Sequence, residues 1–131
     1  MQNRSRKGFT LMEMLIVVAI IAVLVAVAIP TFSSSLHKAR EATDLANARA
    51  YFAELQEDYM ATGEYQTRFN PDPWRNWTDT ITFSDGSTVK LLTGKLTVRR
   101  PTDDEISAGS KLGYQVTYVC NKCGETRVFG S

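Results

Sequence analysis

From Met14 to Ile29 every residue is apolar, and no glycine or proline interrupts the run until Pro30. Counted from Phe9, the segment is about 21 residues, or roughly 31 Å as a helix at 1.5 Å per residue. That matches the hydrocarbon thickness of a bilayer, so residues 9–30 predict a membrane-spanning helix. Pro30 has no N–H to give Ala26 and crowds its carbonyl, and Ser33-Ser34-Ser35 are weak helix formers, so a kink or loosening is expected there. Beyond it, strong helix formers resume at 38–42. Leu45, Ala48, Phe52, Leu55 and Tyr59 then recur at three- and four-residue steps as one apolar stripe. Arg40, Asp44, Glu54, Glu57 and Asp58 fall largely off it. Gly63 is a natural residue to end the helix. A rod from Phe9 to Thr62 would be roughly 80 Å long. Its first half exceeds what a small domain can bury and calls for lipid, or copies of itself, as cover.

Glu64 to Thr78, with Pro71, Pro73, Trp74 and Trp77, reads as a loop packed on the helix; a sugar platform of the two tryptophans is the less economical reading. A period-two pattern follows at Ile81, Phe83, Val89, Leu91, Leu96 and Val98. A three-residue loop at Asp85-Gly86-Ser87 would set Phe83 opposite Val89 and Ile81 opposite Leu91. A two-residue turn at Thr93-Gly94 would set Leu91 opposite Leu96. Both registers keep the six apolar side chains on one face, predicting a meander against the helix stripe. Arg99-Arg100-Pro101 ends it. Thr102 to Gly113 reads as a polar loop, and Tyr114–Cys120 with Thr126–Phe129 as a last strand pair. The fold class is α+β: a long N-terminal helix whose C-terminal half packs on a small antiparallel sheet.

Composition narrows the possibilities. The 131 residues fit one small domain and an anchor. Without Arg4, Arg6 and Lys7, twelve basic residues face fourteen acidic ones. No basic face asks for nucleic acid. The positive start predicts a cytoplasmic N-terminus and an extracytoplasmic C-terminal domain.

Glu13 changes the picture of a plain anchor. An unpaired carboxylate near the end of an apolar span costs several kcal/mol and calls for a partner, unless it snorkels to the interface. A secretory signal carries its small-residue cleavage site after the apolar run. Here Pro30-Thr31-Phe32 follow the run, and the small residue, Gly8, comes before it.

Lys7-Gly8-Phe9-Thr10-Leu11-Met12-Glu13, the apolar run and Pro30 together resemble the type IV pilin family, which includes the pseudopilins of type II secretion. Met12 and Met14 stand where Ile or Leu is more usual. The resemblance implies a leader at 1–8, an assembly helix at 9–30 and an extracytoplasmic domain at 31–131. It implies that prepilin peptidase cuts between Gly8 and Phe9, that the Phe9 amine is methylated, and that Glu13 pairs with such an amine during assembly. Physics agrees: four helical rises put that amine about 6 Å from Glu13, and opposite charges are far cheaper in pairs at low dielectric. Implied partners are other pilin subunits, the peptidase, an inner-membrane assembly platform and the membrane. The product is a surface filament or a periplasmic pseudopilus.

Cys120 and Cys123 are the chain's two cysteines. A structural zinc site needs four ligands, and the single histidine, His37, is on the helix and expected to be far away. Outside the membrane a short-loop disulfide is the better reading, similar to the C-terminal disulfide loop of many pilins, with free thiols or zinc shared between subunits as alternatives. Related pseudopilins bind calcium in a C-terminal loop, but Asp103, Asp104 and Glu105 lack spaced oxygen ligands, so a solvated loop is expected. No metal or cofactor is expected, and no catalytic constellation occurs. The chain reads as a structural subunit; the alternative is a monomeric, membrane-tethered binding module, for which neither Glu13 nor the Gly8-Phe9 junction is needed.

Overall fold

The computed structural model describes residues 8–66, 76–109 and 113–130. Trp74, Pro71 and Pro73 lie outside the described residues. The chain divides into two compact units, Met1–Leu36 and His37–Ser131. Helix α1, Leu11–Thr62, contributes to both.

In the first unit α1 carries no buried residue: from Leu11 to Ile29 every side chain is exposed. It is long and apolar enough to cross a membrane. The helix is not broken at Pro30 or at Ser33–Ser35, contrary to the loosening expected there. Proline removes one donor, while the Thr31 hydroxyl donates to the Ala28 carbonyl at 2.9 Å and the Val27 carbonyl at 3.2 Å. In an exposed apolar stretch, keeping backbone groups bonded outweighs the local preference of three serines. The helix ends as expected: Gly63 takes φ +73° and its N–H donates to the Tyr59 carbonyl at 2.8 Å.

In the second unit α1 buries Asp44, Ala48, Tyr51 and Leu55, with Leu45, Phe52 and Tyr59 half-buried beside them. The expected stripe is there, but its centre is rotated towards Asp44 and Tyr51, and Asp44 is wholly buried. The carboxylate expected off the stripe is inside the core.

Strands β1 (Thr80–Thr82) and β2 (Thr88–Lys90) form an antiparallel pair. Ile81 faces Val89 rather than Leu91. Five residues, Phe83 to Ser87, join them instead of the expected three, and the Phe83 N–H donates to the Ser87 carbonyl at 2.9 Å. Gly86 adopts φ +84°, and the Asp85 carboxylate accepts from the Ser87 N–H at 2.7 Å. The partner shift is two residues, so the apolar residues keep their face.

The meander stops at that point. β2 does not continue into a hairpin with β3 (Gly94–Arg99); β3 pairs instead with β4 (Gln115–Cys120), and β4 with β5 (Thr126–Phe129). Thr93, expected in a tight turn, has its N–H on Asp44 and its carbonyl on the Asn121 N–H at 2.9 Å. With those groups committed, a β2–β3 ladder cannot close. β4 also offers β3 six paired residues where β2 has three. A single antiparallel bridge, Thr78 to Leu96, lies beside β3.

On the inner face of β3 and β4, Gly94 lies opposite Cys120, Leu96 opposite Tyr118, and Val98 opposite Val116, while Thr97 on the other face is buried as well. All six inner-face residues are buried. With Ile81, Leu91, Tyr114 and the helix residues they form the core. Tyr59 stacks on Tyr65 at 4.4 Å between ring centroids, and Tyr65 meets Tyr114 edge-on at 5.3 Å. These rings hold the chain just past the helix against the sheet. Trp77 is half-buried, with the Lys95 ammonium 5.6 Å from its ring centroid.

The expected polar loop after Pro101 contains a short helix, α2 (Asp103–Ser107). Thr102 and Glu105 close a reciprocal capping box, a Thr-x-x-Glu pattern readable from sequence.

Candidate functional site

Two places carry chemistry. The first is the start of α1. Thr10 caps it: the Thr10 hydroxyl accepts from the Glu13 N–H at 3.2 Å, and the Glu13 carboxylate accepts from the Thr10 N–H at 3.0 Å. This is a second capping box, also legible as Thr-x-x-Glu. It settles donors that an apolar helix end would otherwise leave open, and puts negative charge where the helix dipole favours it. Phe9, just before the cap, is 80% exposed, and Gly8 has open space where a Cβ would stand. Phe9, Thr10 and Glu13 thus gather at one helix end. Pro30 lies within the exposed helix, seventeen residues beyond Glu13 and apart from them.

Such an end is an acceptor for a cation. The carboxylate is held towards the chain start, on an exposed helix with no basic residue between Phe9 and His37. No charge from this stretch of helix competes for it.

The second place is the far end of β4. Cys120 and Cys123 form a disulfide across the turn to β5. Cys120 is buried and Cys123 exposed. The Cys123 N–H points at the Cys120 sulfur at 3.2 Å. His37 is not remote from it: its Nε2 lies 3.6 Å from Cys120 Sγ. Eighty-three residues separate the two in sequence; the sheet brings the end of β4 across the helix.

Between these, Asp44 anchors the 91–94 segment. Its carboxylate accepts from the N–H groups of Leu92 and Thr93 and from the Thr93 hydroxyl, at 2.7–2.8 Å. The Tyr118 hydroxyl lies 2.7 Å from Thr93 Oγ1 and 3.3 Å from the carboxylate. Burial pushes the Tyr118 phenol up, against the lowering effect of Thr93. Sequence reasoning placed Asp44 largely off the apolar stripe; its four-residue step to Ala48, continued by Tyr51 and Leu55, was the signal that it shares the buried face. Arg99 donates to both oxygens of Glu105, at 2.6 and 2.8 Å. That contact, then the Thr102 N–H, holds the Glu105 carboxyl below its usual range. Asp103 and Asp104, the other acids of the expected loop, are exposed.

Comparison with known proteins bears on the first place. Residues 3–29 match the model of the prokaryotic N-terminal methylation motif. The chain is similar to the fimbrial proteins of Neisseria meningitidis serogroup B (strain ATCC BAA-335 / MC58) and of serogroup A / serotype 4A (strain DSM 15465 / Z2491), 35% identical to each over 63 residues. Each match covers 48% of this chain and 37% of the relative, so the chain spans well under half of their length. No solved structure matches the chain significantly. With its methylation motif, its exposed apolar helix followed by small antiparallel sheets, and these fimbrial relatives, the chain is similar to the type IV pilin family.

Proposed function

We propose that the chain is a structural subunit, cut by prepilin peptidase between Gly8 and Phe9 and methylated at the Phe9 amine. It polymerises through α1 into a type IV pilus or a secretion pseudopilus. The precursor spans the inner membrane with its leader in the cytoplasm and its C-terminal domain outside. The peptidase, an assembly platform and other pilin subunits are its partners. It has no catalytic role in this reading.

One observation carries the proposal: the apolar face of α1 from Leu11 to Ile29 is exposed on all sides, with a single carboxylate held at its start by the Thr10 cap. Apolar surface of that extent needs cover, and lipid supplies it as well as a neighbouring helix does. Glu13 separates the two. A tethered module gains only the cap from it, which an uncharged side chain could also supply, whereas a helix bundle needs a polar pair to set axial register. Cleavage would place a new amine one residue before the cap, about four helical rises from the carboxylate in the same chain and within reach of a neighbour's.

The test is a pair of substitutions compared by sheared surface filament against membrane-retained subunit. Glu13→Val removes charge and cap together and eases the helix into lipid by roughly 2–3 kcal/mol. Glu13→Gln keeps an N3 side chain able to complete the capping box while removing the charge. Both variants are expected to be processed and retained in the membrane but to lose filaments. Wild-type filament yield from Glu13→Gln would show that the carboxylate serves the cap alone.

A further inference from the structure

The turn between β4 and β5 reads Cys120-Asn121-Lys122-Cys123-Gly124, and both sulfurs face the outward part of α1. A ring nitrogen of His37, Cys120 Sγ and Cys123 Sγ all lie within 4.8 Å of one another. A carboxylate oxygen of Glu41 lies within 4.8 Å of Cys123 Sγ and of an oxygen of Glu125. His37 and Glu41 are four residues apart on the helix, so they share a face. Glu125 is already ion-paired with Arg127, which leaves Glu41 as the carboxylate for this cluster.

We propose that, once the disulfide is reduced, His37, Glu41, Cys120 and Cys123 bind one zinc ion per chain. Disulfide and zinc site are then alternative states of one cysteine pair. The proposal stands apart from filament assembly.

The donor set and its spacing fit the ion. Zinc takes four N, S or O ligands in a tetrahedron, with bonds of about 2.0–2.3 Å, so ligand atoms end up roughly 3.5 Å apart. His37, Cys120 and Cys123 lie within 4.8 Å of one another and Glu41 within 4.8 Å of Cys123, so side-chain rotation about Cys123 has to draw the two groups together on the ion once the Sγ–Sγ bond opens. The turn has the form of a metal-binding knuckle. The Cys123 N–H donates to Cys120 Sγ, the Gly124 N–H donates to the Cys120 carbonyl at 3.0 Å, and Gly124 takes φ +68°. A backbone N–H aimed at sulfur stabilises a thiolate and orients it as a ligand. Sequence spacing alone offered two ligands; the tertiary structure supplies the other two.

The redox step balances with a dithiol as reductant. Its thiolate attacks the exposed Cys123 Sγ, breaking the Sγ–Sγ bond, and Cys120 leaves as the thiolate beside His37. The second thiol of the reductant then attacks the mixed disulfide and releases Cys123. Two electrons pass to the cysteine pair, and the reductant becomes a cyclic disulfide. Zinc binding then displaces the remaining thiol protons to solvent.

The test uses the full chain in detergent micelles, reduced anaerobically, incubated with excess zinc chloride and desalted. Expected is one zinc per chain in the reduced protein and none in the oxidised. Cobalt(II) in place of zinc is expected to give thiolate-to-metal charge-transfer absorption and the intense visible bands of a tetrahedral site. His37→Ala and Glu41→Ala are each expected to weaken zinc binding at least about tenfold, and Cys123→Ser to reduce the charge-transfer band by half or more. Glu125→Gln is expected to change neither. All four substitutions lie at surface or half-buried positions, and circular dichroism of each confirms folding. No zinc in the reduced chain, equal zinc in both redox states, or one zinc per two chains would overturn the proposal. So would binding that is indifferent to His37→Ala.

Discussion

Asp44 sits beneath Thr93 with its carboxylate closing on that residue twice, accepting the backbone N–H and the side-chain hydroxyl at 2.7 Å each. A buried carboxylate is stable only when fully hydrogen-bonded, and the Leu92 N–H and Tyr118 hydroxyl complete the set. The contact ties helix α1 to the segment joining the two sheets and is the reason that segment leaves the first sheet.

Removing the carboxylate leaves the buried Thr93 N–H and the part-buried Leu92 N–H without an acceptor. Asp44→Ala in a chain truncated to begin near Ser33 is expected to lose about 3 kcal/mol or more, read as a lower urea midpoint at unchanged slope. Thr93→Val, which removes only the hydroxyl, is expected to lose roughly 1–2 kcal/mol. Equal small losses in both would mean that water replaces the carboxylate.

Leu55 is 1% exposed at the centre of the helix face that meets the sheet. Leu55→Ala is expected to destabilise the same truncated chain by about 2–5 kcal/mol, the range for an aliphatic side chain replaced by a cavity. Met60, exposed near the end of the same helix, is the control, and Met60→Ala is expected to leave the midpoint nearly unchanged.

Glu105 and Tyr65 bound the pH range of stability from opposite sides. The Arg99 contact depresses the Glu105 pKa below its ordinary 4.5, so its contribution is complete above pH 4.5 and fades as pH falls through the folded value. Glu105→Gln is expected to flatten that acid limb of a plot of urea midpoint against pH. Burial, then the hydrogen bond with Tyr59, pushes the Tyr65 phenol from 10.0 up to about 12. Its contribution is complete below pH 10 and is lost as pH rises through about 12. Tyr65→Phe is expected to flatten the alkaline limb. The residue is partly exposed, so a modest slope is expected on that side.

Processing is checked by intact mass and N-terminal analysis of the membrane-derived chain. The expected mature start is a methylated Phe9, following a cut after Gly8. A chain that still begins at Met1, or is cut after Ile29, would contradict the proposed assembly route.

Local pattern was enough for most of the elements, though not for the short helix α2 or for the continuity of α1 through Pro30. The apolar run from Met14 to Ile29, the stripe through Ala48 and Leu55, the Gly63 stop and the strand pair around Cys120 are set by neighbours within a few residues. So are the two capping boxes at Thr10-Glu13 and Thr102-Glu105, although they show only when the three-residue spacing is sought. The methylation motif at residues 3–29 is legible for the same reason, being a short continuous stretch of chain.

What the sequence by itself could not determine is partnership between distant segments. Period two told which face of β3 is apolar, yet the same face fits β2 or β4, and the choice fell to β4 because Asp44 and Asn121 take the backbone groups of Thr93. Asp44 looked like a solvent residue because its charge is local, whereas three of its donors lie nearly fifty residues on and the fourth, the Tyr118 hydroxyl, further still. His37 looked isolated because sequence distance is not spatial distance, and the end of β4 carries Cys120 to it. Secondary structure answers to hydrophobic periodicity within one segment; strand order, buried polar networks and side-chain clusters answer to which donors and acceptors meet once several segments are packed.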